Sequence, residues 1–599
     1  MRRPGRGQDM TEARRPTIGR FQLESELGRG YHGRVFLAWD PDLERKVALK
    51  VILGPARHDE QFMREVRAVS RLSHPNIIPL YERGSQSGKP YLVFEYVEGA
   101  LLRDELVRLR PLDEARALDF LSQMLEGMAA AHAEGVAHLD LSPANLMLDT
   151  QGRIRIMDFG LARLVSQDHV HDADKARGTP RYMSPEHFAG KPLDLRTDVF
   201  ALGLIGYELL AGSAAADGEG LASVREAIVN ASFNWRCFER AGSNPQVVQV
   251  LREALAREPT ARYADAGEML DALRAARAVQ AAPDGRQLAA QFLLRRLQRR
   301  PEFPAFSNNL HEMNRLTAED STAGLEDLAK VVQRDFSLAS RLMKIANSAF
   351  FNRTPGGVAT LGNAISQVGT RVVRMLCNGL VVFDRLNDGR TELEDALVGS
   401  FVAALMARTL GLVGGRDASE EGFICALFHR LGRNLVLYYL DAEHADILEL
   451  VGQGMGRQQA EQQILGATCA ELGAEIARHW KFPADIVDSM LPVPGMWLET
   501  LHAGALTRGQ WLRLVAQLSS ELCELAQQQT EAPWPQLEEA VARYASVMPI
   551  SGERAGELLA GALEGFMELA TVLGVNVARS GFCQRTARFL ALMQDSPPA

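Results

Sequence analysis

His138-Leu139-Asp140-Leu141-Ser142-Pro143-Ala144-Asn145, followed a little later by Asp158-Phe159-Gly160, is the stretch that decides how this chain is read. It puts an acid, Asp140, and an amide, Asn145, in one short loop. A second acid, Asp158, follows the strand-like Ile154-Arg155-Ile156-Met157. Phosphoryl transfer needs an acceptor for a hydroxyl proton and oxygen ligands for a divalent cation, and these three side chains supply both. Gly160 after Phe159 permits the turn that aims Asp158.

Toward the amino terminus lies Gly28-Arg29-Gly30-Tyr31-His32-Gly33-Arg34-Val35. Glycines let a backbone approach phosphate oxygens without Cβ clashes, so that amide N–H groups can cradle the charge. Alone, this spacing is weak and also suits a dinucleotide fold, but a strand follows the glycines here where that fold needs a helix. Next comes Val47-Ala48-Leu49-Lys50. A lone strand lysine reads as a solvated edge residue; in this order it reads as a phosphate contact, with Glu65 on the following helix as its carboxylate partner. Phe21 to Leu27, Val35 to Trp39, Lys46 to Leu53 and Tyr91 to Tyr96 read as strands, and Glu60 to Leu72 as an amphipathic helix with Phe62, Val66 and Val69 on one face. From about 100 to 274 the pattern is helical, interrupted by a polar stretch near 150–190. Gly178-Thr-Pro-Arg-Tyr-Met-Ser-Pro185-Glu186, the apolar helix opening at Asp198-Val-Phe-Ala-Leu-Gly203, and Arg262 complete the series.

With all of these in order, residues 21–274 resemble a bacterial, eukaryotic-type Ser/Thr protein kinase. The resemblance implies an α+β bilobal protein-kinase fold, a sheet-rich lobe over a helical lobe, with ATP and Mg²⁺ between them. It implies Asp140 as catalytic base, Asn145 and Asp158 as metal ligands, and Lys50 with Glu65 positioning ATP. It also implies an ATP site built from Gly28, Gly30, Gly33, Val35, Ala48 and Lys50, with Phe94 behind the adenine and Glu95 to Val97 as hinge. Glu186 and Arg262 are expected to form a buried ion pair. Two positions depart from the pattern. Leu139 stands where the family has an Arg that meets an activation-loop phosphate. Between Gly160 and Gly178 the one hydroxyl is Ser166, beside Asp168, Asp172 and Asp174, which read as a solvated acidic loop. Ser142 replaces a Lys that touches the transferred phosphate, a loss worth a few kcal/mol, or roughly two to three orders of magnitude in rate. The expected activity is therefore that of a slow Ser/Thr kinase. The alternative is a pseudokinase scaffold that binds ATP and partners without catalysis.

At 599 residues the chain exceeds what one hydrophobic core supports. The expected organisation is multidomain: a flexible segment 1–20, the kinase domain 21–274, a linker or helix extension 275–295, an all-α domain 296–500 and further helices over 501–599. Hydrophobic residues at 46% and charged ones at 24% are ordinary for globular protein. A net charge of -9 argues against general nucleic-acid binding. The six cysteines form no C-x-x-C pair and read as buried thiols in a reducing compartment. The first twenty residues are Arg-rich but lack the apolar core of a signal peptide. The longest apolar run, Val199 to Ala211, is too short to span a bilayer. The expected location is the cytoplasm, with no membrane span.

The second half is helical in pattern, with Leu338, Leu342 and Ile345, then Ile365, Val368, Val372 and Met375, at helical spacing. Phe303-Pro304-Ala305, Ile345-Ala-Asn-Ser-Ala-Phe-Phe351, Asn363-Ala-Ile-Ser-Gln-Val-Gly369, Ala426-Leu-Phe-His429-Arg430-Leu-Gly432-Arg433, Ile464-Leu-Gly466, Gly473 and Trp480-Lys-Phe-Pro483 resemble the HDOD family, an output domain related to HD phosphohydrolases. In active HD enzymes a His-Asp pair holds metal; here the pair is His429-Arg430, and Thr468-Cys469 stands where the family often has another His. No metal is expected in this domain, so a cyclic-nucleotide phosphodiesterase is disfavoured. The expected role is recognition of a signalling protein or signal relay, alongside the kinase's protein substrates.

Overall fold

The computed structural model describes residues 16–298 and 390–595, apart from 31–32, 53–59, 110–111, 160–162, 165–179, 217–219, 282–284, 413–417, 501–505 and 529–531, together with Leu342, Ile345 and Val373. The chain divides into two compact units, 1–278 and 279–599.

The first unit begins with an antiparallel six-stranded sheet in the order β1-β2-β3-β4-β6-β5. Its strands are β1 (Thr17–Ile18), β2 (Phe21–Gly30), β3 (Gly33–Asp40), β4 (Arg45–Ile52), β5 (Leu80–Gln86) and β6 (Lys89–Glu95). Alternation along β4 sends Val47 and Leu49 to one face, where they pack with Phe21, Ala38, Tyr91 and Val93 into a small core. Ala48 and Lys50 therefore share the other face. Register extends that face across the sheet: Val35 lies opposite Lys50, and Phe94 opposite Ala48. The helix after β4 runs Glu60–Val69, three residues shorter than expected, because Ser70 to Leu72 turn into the connection toward β5. The strand β5 was not anticipated; its alternating but mostly exposed Leu80–Gln86 is an edge.

The helical lobe is built on Glu114–Ala133 and Leu195–Ala211. The latter starts at the capping residue Asp194, ends at Gly212 with φ 71°, and is buried on nearly every side. The expected polar stretch near 150–190 holds the strands Ile154–Ile156 and Arg163–Leu164, each paired with a strand from before it, and the short helix Pro185–Phe188. A three-stranded sheet joins β7 (Gly99–Leu101), β9 (Leu146–Asp149) and β10 (Ile154–Ile156), and β8 (Val136–Ala137) pairs with β11 (Arg163–Leu164). Glu186 and Arg262 do form the expected pair: both guanidinium nitrogens meet the carboxylate, at 2.6 and 2.8 Å, and Arg262 also donates to the carbonyls of Ala256 and Arg257.

The second unit, where described, is helical throughout and has one hydrophobic core. Ala289, Ala290, Leu293 and Leu297 of the helix Gly285–Gln298 are buried in that core, as are Trp511, Leu559 and Phe566 of later helices. Residues 501–599 thus share their core with the residues before them. The backbones of the helices Leu431–Tyr439 and Cys469–His479 meet at two glycines. A Cβ on Gly432 would lie 1.8 Å from the Cys469 carbonyl oxygen, and one on Gly473 would lie 2.8 Å from the Gly432 nitrogen. The resemblance segments at 303–305 and 363–369, and most of 345–351, lie outside the described residues, as do Leu338, Ile365, Val368, Val372 and Met375; Leu342 and Ile345 are buried in the core.

Candidate active site

The loop between β8 and β9 carries Asp140 and Asn145, and its backbone is held from below by one fully buried carboxylate. Asp198, in the first turn of Leu195–Ala211, accepts the backbone N–H groups of His138 and Leu139, each at 2.7 Å. The Nε2 of His132 sits 3.1 Å from the same carboxylate. Burial alone would raise the Asp198 pKa, but the bonds from His132 and the backbone hold it below the ordinary carboxylate range. Leu139 adopts φ 61° between these two anchored amides. Left-handed backbone at a non-glycine is uncommon and persists where surrounding bonds impose it. Asp198 was read from sequence only as the opening of an apolar helix. Its partners lie some sixty positions away, and no local spacing signals them.

The amide of Asn145 donates from Nδ2 to the Asp140 carbonyl at 2.7 Å and to its carboxylate at 3.2 Å. That fixes the amide's orientation and leaves Oδ1 as the acceptor available to a ligand. His138 joins this loop to the strand beyond: its Nε2 donates to the Met157 carbonyl at 3.0 Å, and its ring lies 4.8 Å from that of Phe159. Asp158 follows with φ 72° and forms an ion pair with Lys50 across the cleft between the lobes. Lys50 is largely buried while Asp158 is about one-third exposed, so the carboxylate keeps a solvent-facing side.

The sequence-predicted residues thus converge. Lys50, Ala48 and Val35 share the inner face of the sheet, and Asp140, Asn145 and Asp158 stand on the opposite wall. Gly33 is forced: a Cβ there would lie 2.0 Å from the Val51 carbonyl oxygen, whereas one on Gly28 would meet nothing within 4 Å. Glu95 at the end of β6 pairs with Arg155 of β10, tying the connecting segment to the lower lobe; Val97 just beyond is buried. The Glu65 side chain, Gly160, Ser166, Asp168, Asp172 and Asp174 lie outside the described residues. Gly30 ends β2 opposite Gly33. Ser142, at the position lacking the expected Lys, is almost fully buried and precedes the short turn Pro143–Asn145. The acceptors that Asp140, Asn145 and Asp158 can offer a ligand are all oxygen, which suits a hard cation such as Mg²⁺.

In the helical unit His429 is oriented by its backbone contact, and it lines a cavity together with Arg430. Its Nδ1 donates to the Ser489 carbonyl at 2.6 Å, and Arg430 is ion-paired with Glu524. Among the described residues no helix is long and apolar enough to cross a membrane.

Comparison with known proteins agrees with this division. Residues 21–275 match the model of the protein kinase domain and residues 303–493 that of the HDOD domain. The chain is 33% identical over 260 residues to the serine/threonine-protein kinase PrkC of Bacillus subtilis, covering 42% of this chain and 39% of that protein. It is 33% identical over 251 residues to the serine/threonine-protein kinase PknL of Mycobacterium tuberculosis, covering 41% of this chain and 63% of that one. To the serine/threonine-protein kinase PknB of Mycobacterium leprae it is 33% identical over 259 residues, 42% of each. The chain spans less than two thirds of the length of these relatives. Fold, site geometry and both matches thus agree that this chain carries a protein kinase domain at residues 21–275, followed by an HDOD domain at residues 303–493.

Proposed function

We propose that the first unit is an ATP- and Mg²⁺-dependent Ser/Thr protein kinase, and that the helical unit binds a partner or regulates without metal chemistry. The observation that carries the first part is the Lys50–Asp158 ion pair, which spans the cleft facing Asp140 and Asn145. Bound Mg²⁺–ATP supplies the transferable phosphoryl group and the cation that neutralises its developing charge. The remaining chemistry belongs to the protein. Lys50 holds nucleotide phosphates, and Asp158 with the Oδ1 of Asn145 offers oxygen ligands. Asp140 accepts the proton of a substrate hydroxyl, and Asp198 fixes the loop that aims it. Val35 and Ala48 form the apolar roof for the adenine, with Glu95 and Val97 at its edge. Glu65 is the residue we assign as the second partner of Lys50.

The alternative of a pseudokinase scaffold rests on Ser142, which removes one cation from beside the phosphoryl group in transit, and on Leu139. Transfer of labelled phosphate from ATP decides between them. Wild type should label itself or a generic protein substrate, while Asp140→Asn and Asp158→Ala should be silent. If wild type is as silent as the variants while still binding ATP, the scaffold reading replaces the kinase reading.

A further inference from the structure

A cavity of about 270 Å³ lies inside the helical unit, lined by Arg430, Arg433 and Arg457. Three carboxylates share the lining, but each is already engaged. Glu461 accepts the Cys469 amide at 2.9 Å. Glu521 takes Gln517 and Arg543, the latter from outside the cavity. Glu524 serves Arg430 and Arg433 at once. Two guanidiniums therefore share one carboxylate. Arg457 has no hydrogen-bond or ion-pair partner among the described residues, and the buried Nε of Arg430 has no acceptor among them. Buried donors without acceptors are costly, and clustered cations compound the cost.

Two helices begin at the cavity. Arg457 and Gln458 open the helix Arg457–Leu465, whose first turn holds no acid and whose N-cap, Gly456, provides no side-chain bond. Thr468, Cys469 and Ala470 open the helix Cys469–His479 on the same cavity. The first contributes the positive end of its dipole, whereas the second is capped by Thr468 and Glu471, and its Cys469 amide is taken by Glu461. The crowding registers in the groups themselves: burial and then Arg433 pull the Arg430 guanidinium down to about 9, and burial with Arg457 lowers Arg433.

We propose that this cavity is a binding site for a small phosphate-bearing ligand, held by Arg430, Arg433 and Arg457. A dianion would give Arg457 an acceptor and relieve Arg430 and Arg433 of sharing one, in the fork geometry that suits phosphate. The volume lies just below the range of roughly 300–1,000 Å³ typical of small-molecule pockets, so the occupant is of modest size. This assignment is independent of catalysis in the kinase unit.

The test is calorimetric titration of the full chain with inorganic phosphate, phenyl phosphate and a phosphoserine peptide, comparing wild type with Arg457→Gln and Arg433→Gln. Saturable binding of phosphate or phenyl phosphate is expected, weakened roughly tenfold or more in each variant. The kinase cleft is common to all three proteins, so the difference between them belongs to the cavity. Arg457 is only partly buried and outside the ion pairs, so its variant remains informative should Arg433→Gln fail to fold. Equal affinity for phosphate and phenyl phosphate supports recognition of the phosphate group alone; tighter phenyl phosphate supports an ester. No saturable binding, or binding unchanged in Arg457→Gln, overturns the proposal. A phosphoserine peptide bound tenfold tighter than phenyl phosphate overturns the small-molecule assignment.

Discussion

Asp198 is an almost wholly buried carboxylate that sets the position of the loop carrying Asp140. Replacing it by Asn exchanges one acceptor oxygen for an NH₂ group that faces a backbone N–H or His132. Asp198→Asn should therefore loosen the loop and lower kcat roughly a hundredfold, with little change in KM for ATP. Steady-state kinetics on the folded variant checks this; a rise in KM alone would assign Asp198 no part in holding the loop. A different outcome is expected at Glu186. Glu186→Ala leaves Arg262 buried without its counter-charge, a loss of about 3–5 kcal/mol visible as a lowered unfolding midpoint. An unchanged midpoint would mean that the carbonyls around Arg262 satisfy it unaided. Asp140, Asn145, Asp158 and Lys50 were legible in the sequence because each sits in a short, ordered string of chemically restrictive neighbours. Asp198 was not, since its bonds to His132, His138 and Leu139 exist only after the fold has closed.

Strand alternation carried the sheet. Val47, Leu49 and their neighbours predicted the strand β4, and the kinase resemblance, not the alternation, pointed to Ala48 and Lys50 as its cleft side, while β5, a polar edge with only two apolar residues, gave no such contrast. In the helical unit, spacing gave helices but not their crossings. The glycines of Leu431–Tyr439 and Cys469–His479 are a case: nothing local shows that Gly432 and Gly473 are the point where two backbones touch. That contact also brings Arg433 and the amino-terminal turn of Cys469–His479 to one cavity. Gly432→Ala places a methyl group against a carbonyl oxygen that cannot rotate away, so the helices must separate. The expected cost is about 1–3 kcal/mol or more, read as a lower denaturation midpoint of the helical unit. A variant as stable as wild type would show that the two helices slide apart without penalty.

Two units with separate cores should unfold as two events, and pH should move them by different groups. In the helical unit, burial first and then the neighbouring arginines pull His429 down to about 4. A histidine held neutral in the fold takes up a proton only after unfolding. Its contribution is complete above 6.5 and is lost as pH falls from 6.5 toward 4, on the order of 3 kcal/mol across that interval. The kinase unit has its own depressed groups. Burial lowers His187, and Asp198 and Glu186 are held below the carboxylate range by His132 and Arg262 respectively, although burial opposes both. The two carboxylates lose their contribution only as pH drops below the ordinary carboxylate values. Calorimetry of the full chain between pH 7.5 and 4.5 should therefore resolve two transitions that both fall with pH. His429→Gln, which keeps a donor for the Ser489 carbonyl without a titrating group, should flatten the pH dependence of one transition and leave the other unchanged. If it flattens neither, His429 does not govern the acid sensitivity of its unit; if it shifts both equally, the two cores do not unfold independently.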